Sequence, residues 1–242
     1  MAAVCAVCEG TGFRIVEEGG FSRASECSCR REDRQAERLA AARLPAHFAN
    51  RSLENFETRS SDLAAARRSV EEFCAAWPAV EAGLLLIGSP GVGKTHLAVA
   101  LLRYLVLEKG ASGLFCDFQR LLKTIQASWD PASQASESAV LAPVTGAEIL
   151  VLDDLGSTRT SGWVQDTLFH ILNARYIDHR TTIVTTNRSD GGGGLLDPKD
   201  TLEGMIGTVQ RSRLAEMCRV VQISDAADFR RAVLTRSGLH PY

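Results

Sequence analysis

The stretch Gly88-Ser89-Pro90-Gly91-Val92-Gly93-Lys94-Thr95 fits the pattern G-x-x-x-x-G-K-[ST]. It stands between an apolar run at 84–87 and a helix-patterned segment at 95–109 that Gly110 ends. That placement restricts the chain to folds in which a strand feeds a glycine-rich turn and then a helix. Glycines let the backbone curl until several amide N–H groups face one phosphate, and the helix N-terminus adds partial positive charge. Gly88 through Thr95 are therefore expected to cradle the phosphates of a nucleotide. Lys94 would bridge the β- and γ-phosphates, and Thr95 would offer its hydroxyl to Mg²⁺.

The surrounding pattern supports a parallel sheet. Strands are expected at 84–87, 112–116, 149–152 and 182–186, with helices at 61–77, 95–109, 118–129 and 162–179. Short apolar runs joined by helices read as buried parallel strands, so the expected fold class is α/β, with helices on both faces. Segments 130–147 and 188–200 read as mobile loops, the second containing four consecutive glycines. A strand at 220–223 and a helix at 225–236 are expected to close the chain.

A phosphate loop needs an acidic partner on a neighbouring strand to hold the metal. Ile149-Leu150-Val151-Leu152-Asp153-Asp154 supplies one. Asp153 is expected to serve Mg²⁺, and Asp154 to polarise or orient the attacking water. Asn187 ends the strand at 182–186, so its amide is expected on the same rim, near the γ-phosphate; a turn-forming Asn is the competing reading.

Cys5, Cys8, Cys27 and Cys29 cluster in the first 29 of 242 residues, whereas Cys74, Cys116 and Cys218 are scattered and read as core thiols. The spacing C-x₂-C, eighteen residues, C-x-C furnishes four thiolates for a tetrahedral structural Zn²⁺. The second pair is one residue tighter than the commoner spacing. A closed four-sulfur site folds its segment and does no chemistry, so its task would be recognition. An Arg/Glu/Ala-rich helix at 30–43 follows, then the break Leu44-Pro45 and an irregular segment anchored by Phe48, Leu53 and Phe56. The organisation expected is a zinc-binding module with a helical arm at 1–44 and a nucleotide-binding domain at 45–242.

Twenty-seven basic residues against 29 acidic ones exclude a strongly electropositive surface overall, so any nucleic-acid contact must be a local patch. Candidates for such a patch are Phe118, Arg120, Lys123, Arg159 and Trp163, each of which could equally be core or solvated surface. No apolar stretch approaches a membrane span and no secretory signal is visible, so a cytoplasmic protein is expected.

The phosphate loop, Asp153-Asp154-Leu155-Gly156, Thr185-Thr186-Asn187 and Gln210-Arg211-Ser212-Arg213-Leu214 together resemble the DnaC/DnaI/IstB branch of AAA+ ATPases. The resemblance spans residues 44–231 and implies an oligomeric, Mg²⁺-dependent ATPase. It matches Arg213 to the arginine finger that reaches a neighbour's γ-phosphate, with Arg211 as the alternative. It matches Arg230 to the sensor-2 arginine, with Arg231 beside it. The short remainder after the finger implies an abbreviated lid. With the amino-terminal cysteines, the resemblance points to a loader of the replicative DNA helicase onto single-stranded DNA. The alternative is an IstB-like transposition ATPase that binds DNA and a transposase.

Overall fold

The computed structural model describes residues 4–157, 161–191 and 197–224. Five parallel strands form the sheet: β3 (Gly83–Gly88), β4 (Gly113–Asp117), β5 (Ile149–Leu155), β6 (Thr181–Thr186) and β7 (Cys218–Ile223), in the order β4-β5-β6-β3-β7. Because side chains alternate along a strand, each strand feeds two cores. Leu84, Leu86, Ile149, Val151 and Ile183 face one layer; Leu85, Ile87, Leu150, Leu152 and Val184 face the other. This is the α/β sheet, covered on both sides, that the apolar runs predict.

The first layer holds α2 (Ser61–Ala76) and α3 (Lys94–Glu108). Leu97, Leu101, Leu102 and Leu105 of α3 are fully buried, each contributing roughly 1.5–3 kcal/mol relative to exposure. The helix is buried on several sides because α1 (Ser28–Ala41) lies across it. Gln35 donates to the Leu107 carbonyl at 3.0 Å, and the Phe115 amide donates to the Ala42 carbonyl at 2.8 Å. The arm thus rests on the sheet's β4 edge.

The second layer contains α4 (Phe118–Ser128), α5 (Glu137–Gly146), α6 (Gly162–Ile177), α7 (Leu202–Ile206) and α8 (Thr208–Met217). Where β3 meets β6, the backbones come so close that a Cβ on Gly83 would stand 1.8 Å from the Thr182 carbonyl oxygen. Glycine is obligatory there.

Three differences from the sequence reading stand out. The segment 130–147 is not a loop throughout: Ser136 caps the amide of Ala139 and starts α5, whose interior Pro143 disguises it. Between the cysteine pairs lies an antiparallel hairpin of β1 (Phe13–Glu18) and β2 (Phe21–Glu26), turned at Gly19 and Gly20, both at positive φ. The segment from 188 to 191 bridges to Thr201, and a short turn occupies Pro198–Asp200. The helix expected at 225–236, with Arg230 and Arg231, lies outside the described residues, as does Arg159. Among the described residues no helix is long and apolar enough to cross a membrane.

Candidate functional site

The phosphate loop connects β3 to α3, with Gly91 and Gly93 at φ of 82° and 100°. Lys94 is buried, and its ammonium donates to the carbonyls of Gly88 at 2.7 Å and Ser89 at 2.8 Å and to Asn187 Oδ1 at 2.6 Å. Beneath the loop, Phe56 packs where a side chain on Gly93 would go, 2.7 Å from that position, and its edge meets the His96 ring at 5.1 Å. His96 in turn contacts the Ser52 carbonyl at 2.9 Å. Segment 45–56, read as a boundary, is thereby a structural support of the phosphate loop. Burial holds the His96 imidazole below its ordinary pKa.

Two consecutive residues of a regular strand point to opposite faces, yet Asp153 and Asp154 both reach the rim. The reason is a bulge: Leu152 pairs with Val184 and Leu155 with Thr186, so two residues oppose the single Thr185. Asp154 takes φ of 58° to make it. Asp153 Oδ1 accepts from Thr95 Oγ1 at 2.9 Å and Thr185 Oγ1 at 2.7 Å, while the Asp154 amide donates to Thr185 Oγ1. Burial, the largest cause, raises the Asp153 carboxyl above the usual range against the pull of those two hydroxyls. A divalent cation beside Thr95 and Asp153 would reverse that penalty, so the donor set fits Mg²⁺. Asn187 Nδ2 donates to Asp154 Oδ1 at 2.7 Å, completing a chain from Lys94 through Asn187 to Asp154. Thr185, whose hydroxyl links the Asp153 carboxylate to the Asp154 amide, was given no role of its own from sequence; a polar residue inside a buried strand was its signal.

These groups open onto a groove of 1690 Å³ that also takes in Phe48, Asn55 and Arg59, ample for a nucleotide. Neither Arg211 nor Arg213 lines it. Arg211 grips Asp190 through two hydrogen bonds, at 2.6 and 2.7 Å. Arg213 lies over the Tyr176 ring instead, 4.0 Å from its centroid. Of the nucleic-acid candidates, Phe118 is corrected: with Leu121, Leu122 and Ile125 it belongs to the buried face of α4. Arg120 and Lys123 are exposed, and Trp163 meets the Trp129 ring edge-on at 5.0 Å.

The four amino-terminal sulfurs lie within 4.8 Å of one another, with Cys5 to Cys27 at 3.9 Å and Cys8 to Cys29 at 3.5 Å. Sulfurs around a tetrahedral zinc stand about 3.8 Å apart, given Zn–S bonds of ~2.3 Å, so the cluster fits that ion. The Gly12 amide donates to the Cys8 sulfur at 3.3 Å and holds that thiol down at about 7, which favours the thiolate a metal needs. Cys74, Cys116 and Cys218 are buried thiols pushed up to about 12 by burial.

Comparison with known proteins agrees with this geometry. The phage-like element PBSX protein XkdC of Bacillus subtilis is 24% identical over 227 residues, 88% of this chain and 79% of that protein. A protein of Sinorhizobium fredii described as an insertion sequence ATP-binding protein is 30% identical over 192 residues, 77% of this chain and 61% of that one. The crystal structure of the DnaC helicase loader superposes with a TM-score of 0.65 at 32% identity, covering 74% of this chain and 99% of that one. The profile of the IstB-like ATP binding protein family matches residues 21–231, and with the phosphate loop and parallel sheet this makes the chain a member of that family of AAA+ ATPases.

Proposed function

We propose that the protein loads the replicative DNA helicase onto single-stranded DNA, with ATP hydrolysis triggering release. The observation that carries this reading is the likeness to the DnaC helicase loader over nearly all of that chain, joined to a four-sulfur module. In this reading residues 1–44 form a zinc module and arm that grip the helicase, and residues 45–242 are the ATPase. Gly88, Ser89, Pro90, Gly91, Val92 and Gly93 wrap the phosphates, and Lys94 neutralises them. Thr95 and Asp153 hold Mg²⁺, which supplies charge stabilisation to the phosphoryl oxygens. Asp154 orients water, with Asn187 fixing its carboxylate. A neighbouring copy contributes Arg213, which makes turnover depend on assembly. Arg230 is the sensor-2 candidate.

A second reading, a transposition ATPase with a transposase partner, is favoured by the insertion sequence relative. Co-elution with the replicative helicase, with and without ATP, tests the choice. The probe of the module is Cys5→Ser/Cys8→Ser rather than deletion of 1–44, because Ala42 is buried in the main core. Binding lost in that variant supports the loader reading; no binding by the wild type moves the reading to transposition.

A further inference from the structure

Arg213 and Arg211 share one helix and are held in different ways. Asp190 clamps one edge of the Arg211 guanidinium, through Nε and Nη2. Arg213 instead lays its flat face on Tyr176, with Nη2 3.4 Å from Asn173 Oδ1 and Nη1 3.9 Å from Glu216. An aromatic face holds a guanidinium by its quadrupole and leaves the N–H edge for other acceptors. The side chain is one-quarter exposed, and both edge contacts are long, so a stronger acceptor can displace them.

The ring has a firm base. Its neighbour Arg175 is fully buried, donating from Nε to Thr182 Oγ1 at 2.9 Å and from Nη1 to the carbonyls of Val144 at 3.0 Å and Ala147 at 2.8 Å. Those bonds tie the last turn of α6 to β6 and to the end of α5, and so fix the backbone that carries Tyr176. Exposed Phe169 and Ile177 of α6, with Val209 of α8, add apolar surface to the same two helices, suited to a second copy of this chain.

We propose that Tyr176 is a positioning residue for Arg213: its ring holds the guanidinium at the surface between α6 and α8, from which it reaches the γ-phosphate bound to an adjoining copy. This rests on reading Arg213 as the residue supplied in trans. Tyr176 does not line the groove of its own chain and acts through the arginine.

Steady-state ATP hydrolysis by the full-length protein tests it, using Tyr176→Phe, Tyr176→Leu, Arg213→Ala and the double variant Tyr176→Leu/Arg213→Ala. Tyr176→Leu lowers kcat by about tenfold, the scale of a partly desolvated cation–π contact, and leaves KM for ATP unchanged because the variant's own groove is intact. Tyr176→Phe keeps the ring face and keeps kcat. Adding Tyr176→Leu to Arg213→Ala lowers kcat no further. Equal losses in Tyr176→Phe and Tyr176→Leu, or an additional loss in the double variant, overturn the positioning role. If Arg213→Ala lowers kcat and Tyr176→Leu does not, the positioning role alone fails. If Arg213→Ala leaves kcat unchanged, the reading of Arg213 itself fails.

Discussion

Replacing Phe56 by Ala should damage both stability and nucleotide affinity, and the two effects can be separated. The ring is 5% exposed and packs between the first core layer, the Gly93 backbone and the His96 edge. Truncating such a phenylalanine costs about 3–5 kcal/mol, a large share of the ~5–15 kcal/mol that holds a domain folded. For a chain of this size each kcal/mol moves the melting point by roughly 2–4 °C, so Phe56→Ala should melt about 6–20 °C lower. The lost floor also frees the phosphate loop. If about 1.4 kcal/mol of the packing loss falls on the loop, ATP binding weakens about tenfold. Calorimetric melting and the KM for ATP, measured well below the new melting point, check the two parts. A melting point within about 2 °C of wild type would refute the packing argument. A full drop in melting point with KM unchanged would show that the loop holds its shape without the ring.

Three further outcomes are expected. The Asp153 carboxyl is held above its usual range by burial, so the folded state binds more protons than the unfolded chain and ionised Asp153 destabilises the metal-free fold near neutral pH. Asp153→Asn should therefore melt higher than wild type in metal-free buffer while Mg²⁺-dependent hydrolysis falls by ~10²-fold or more; a lower melting point would contradict the assignment. Metal analysis should find one zinc per chain, as four thiolates around one tetrahedral ion require, and Cys5→Ser/Cys8→Ser should lose it. Limited proteolysis of that variant should cut first in the hairpin, with the melting of the sheet unmoved. His96 is held below its ordinary value of 6.5, so its contribution to stability is complete above that value and is lost as pH falls through it. Urea midpoints measured from about pH 7.5 to 5 should fall less steeply in His96→Gln than in wild type.

The sheet and the phosphate site were legible because their signals are local. A buried parallel strand reads as an unbroken apolar run, and the phosphate loop is a covalent spacing. The β1–β2 hairpin was hidden because it buries almost nothing: Phe13, Ile15, Val16 and Phe21 are exposed, so the two strands show no sustained apolar alternation. Its turn, Gly19-Gly20 between two short runs, was the usable sign. Phe118 was offered as a stacking platform although 118, 121, 122 and 125 keep the spacing of a buried helix face. Arg175 had no sequence signal at all. In the helix expected at 162–179 it resembles any solvent-facing arginine, and only the tertiary placement of the Val144, Ala147 and Thr181 carbonyls makes it a buried anchor. Tyr176 stayed unnoticed for the same reason, since its partner lies 37 residues away on α8.

The bulge in β5 also restricts which amino acids residue 154 can be. Side chains with a Cβ resist a φ of 58°, and Asp and Asn are the ones that accept it most readily because their short polar groups bond locally. A glutamate would place its carboxylate one methylene farther out and would strain the same backbone. Among side chains other than glycine, Asp and Asn suit position 154 best, and the exchange of Asp for Asn removes the charge while leaving the turn of the chain undisturbed. A β-branched or bulky substitution there strains the strand as well as removing the chemistry, and its kinetics would report both.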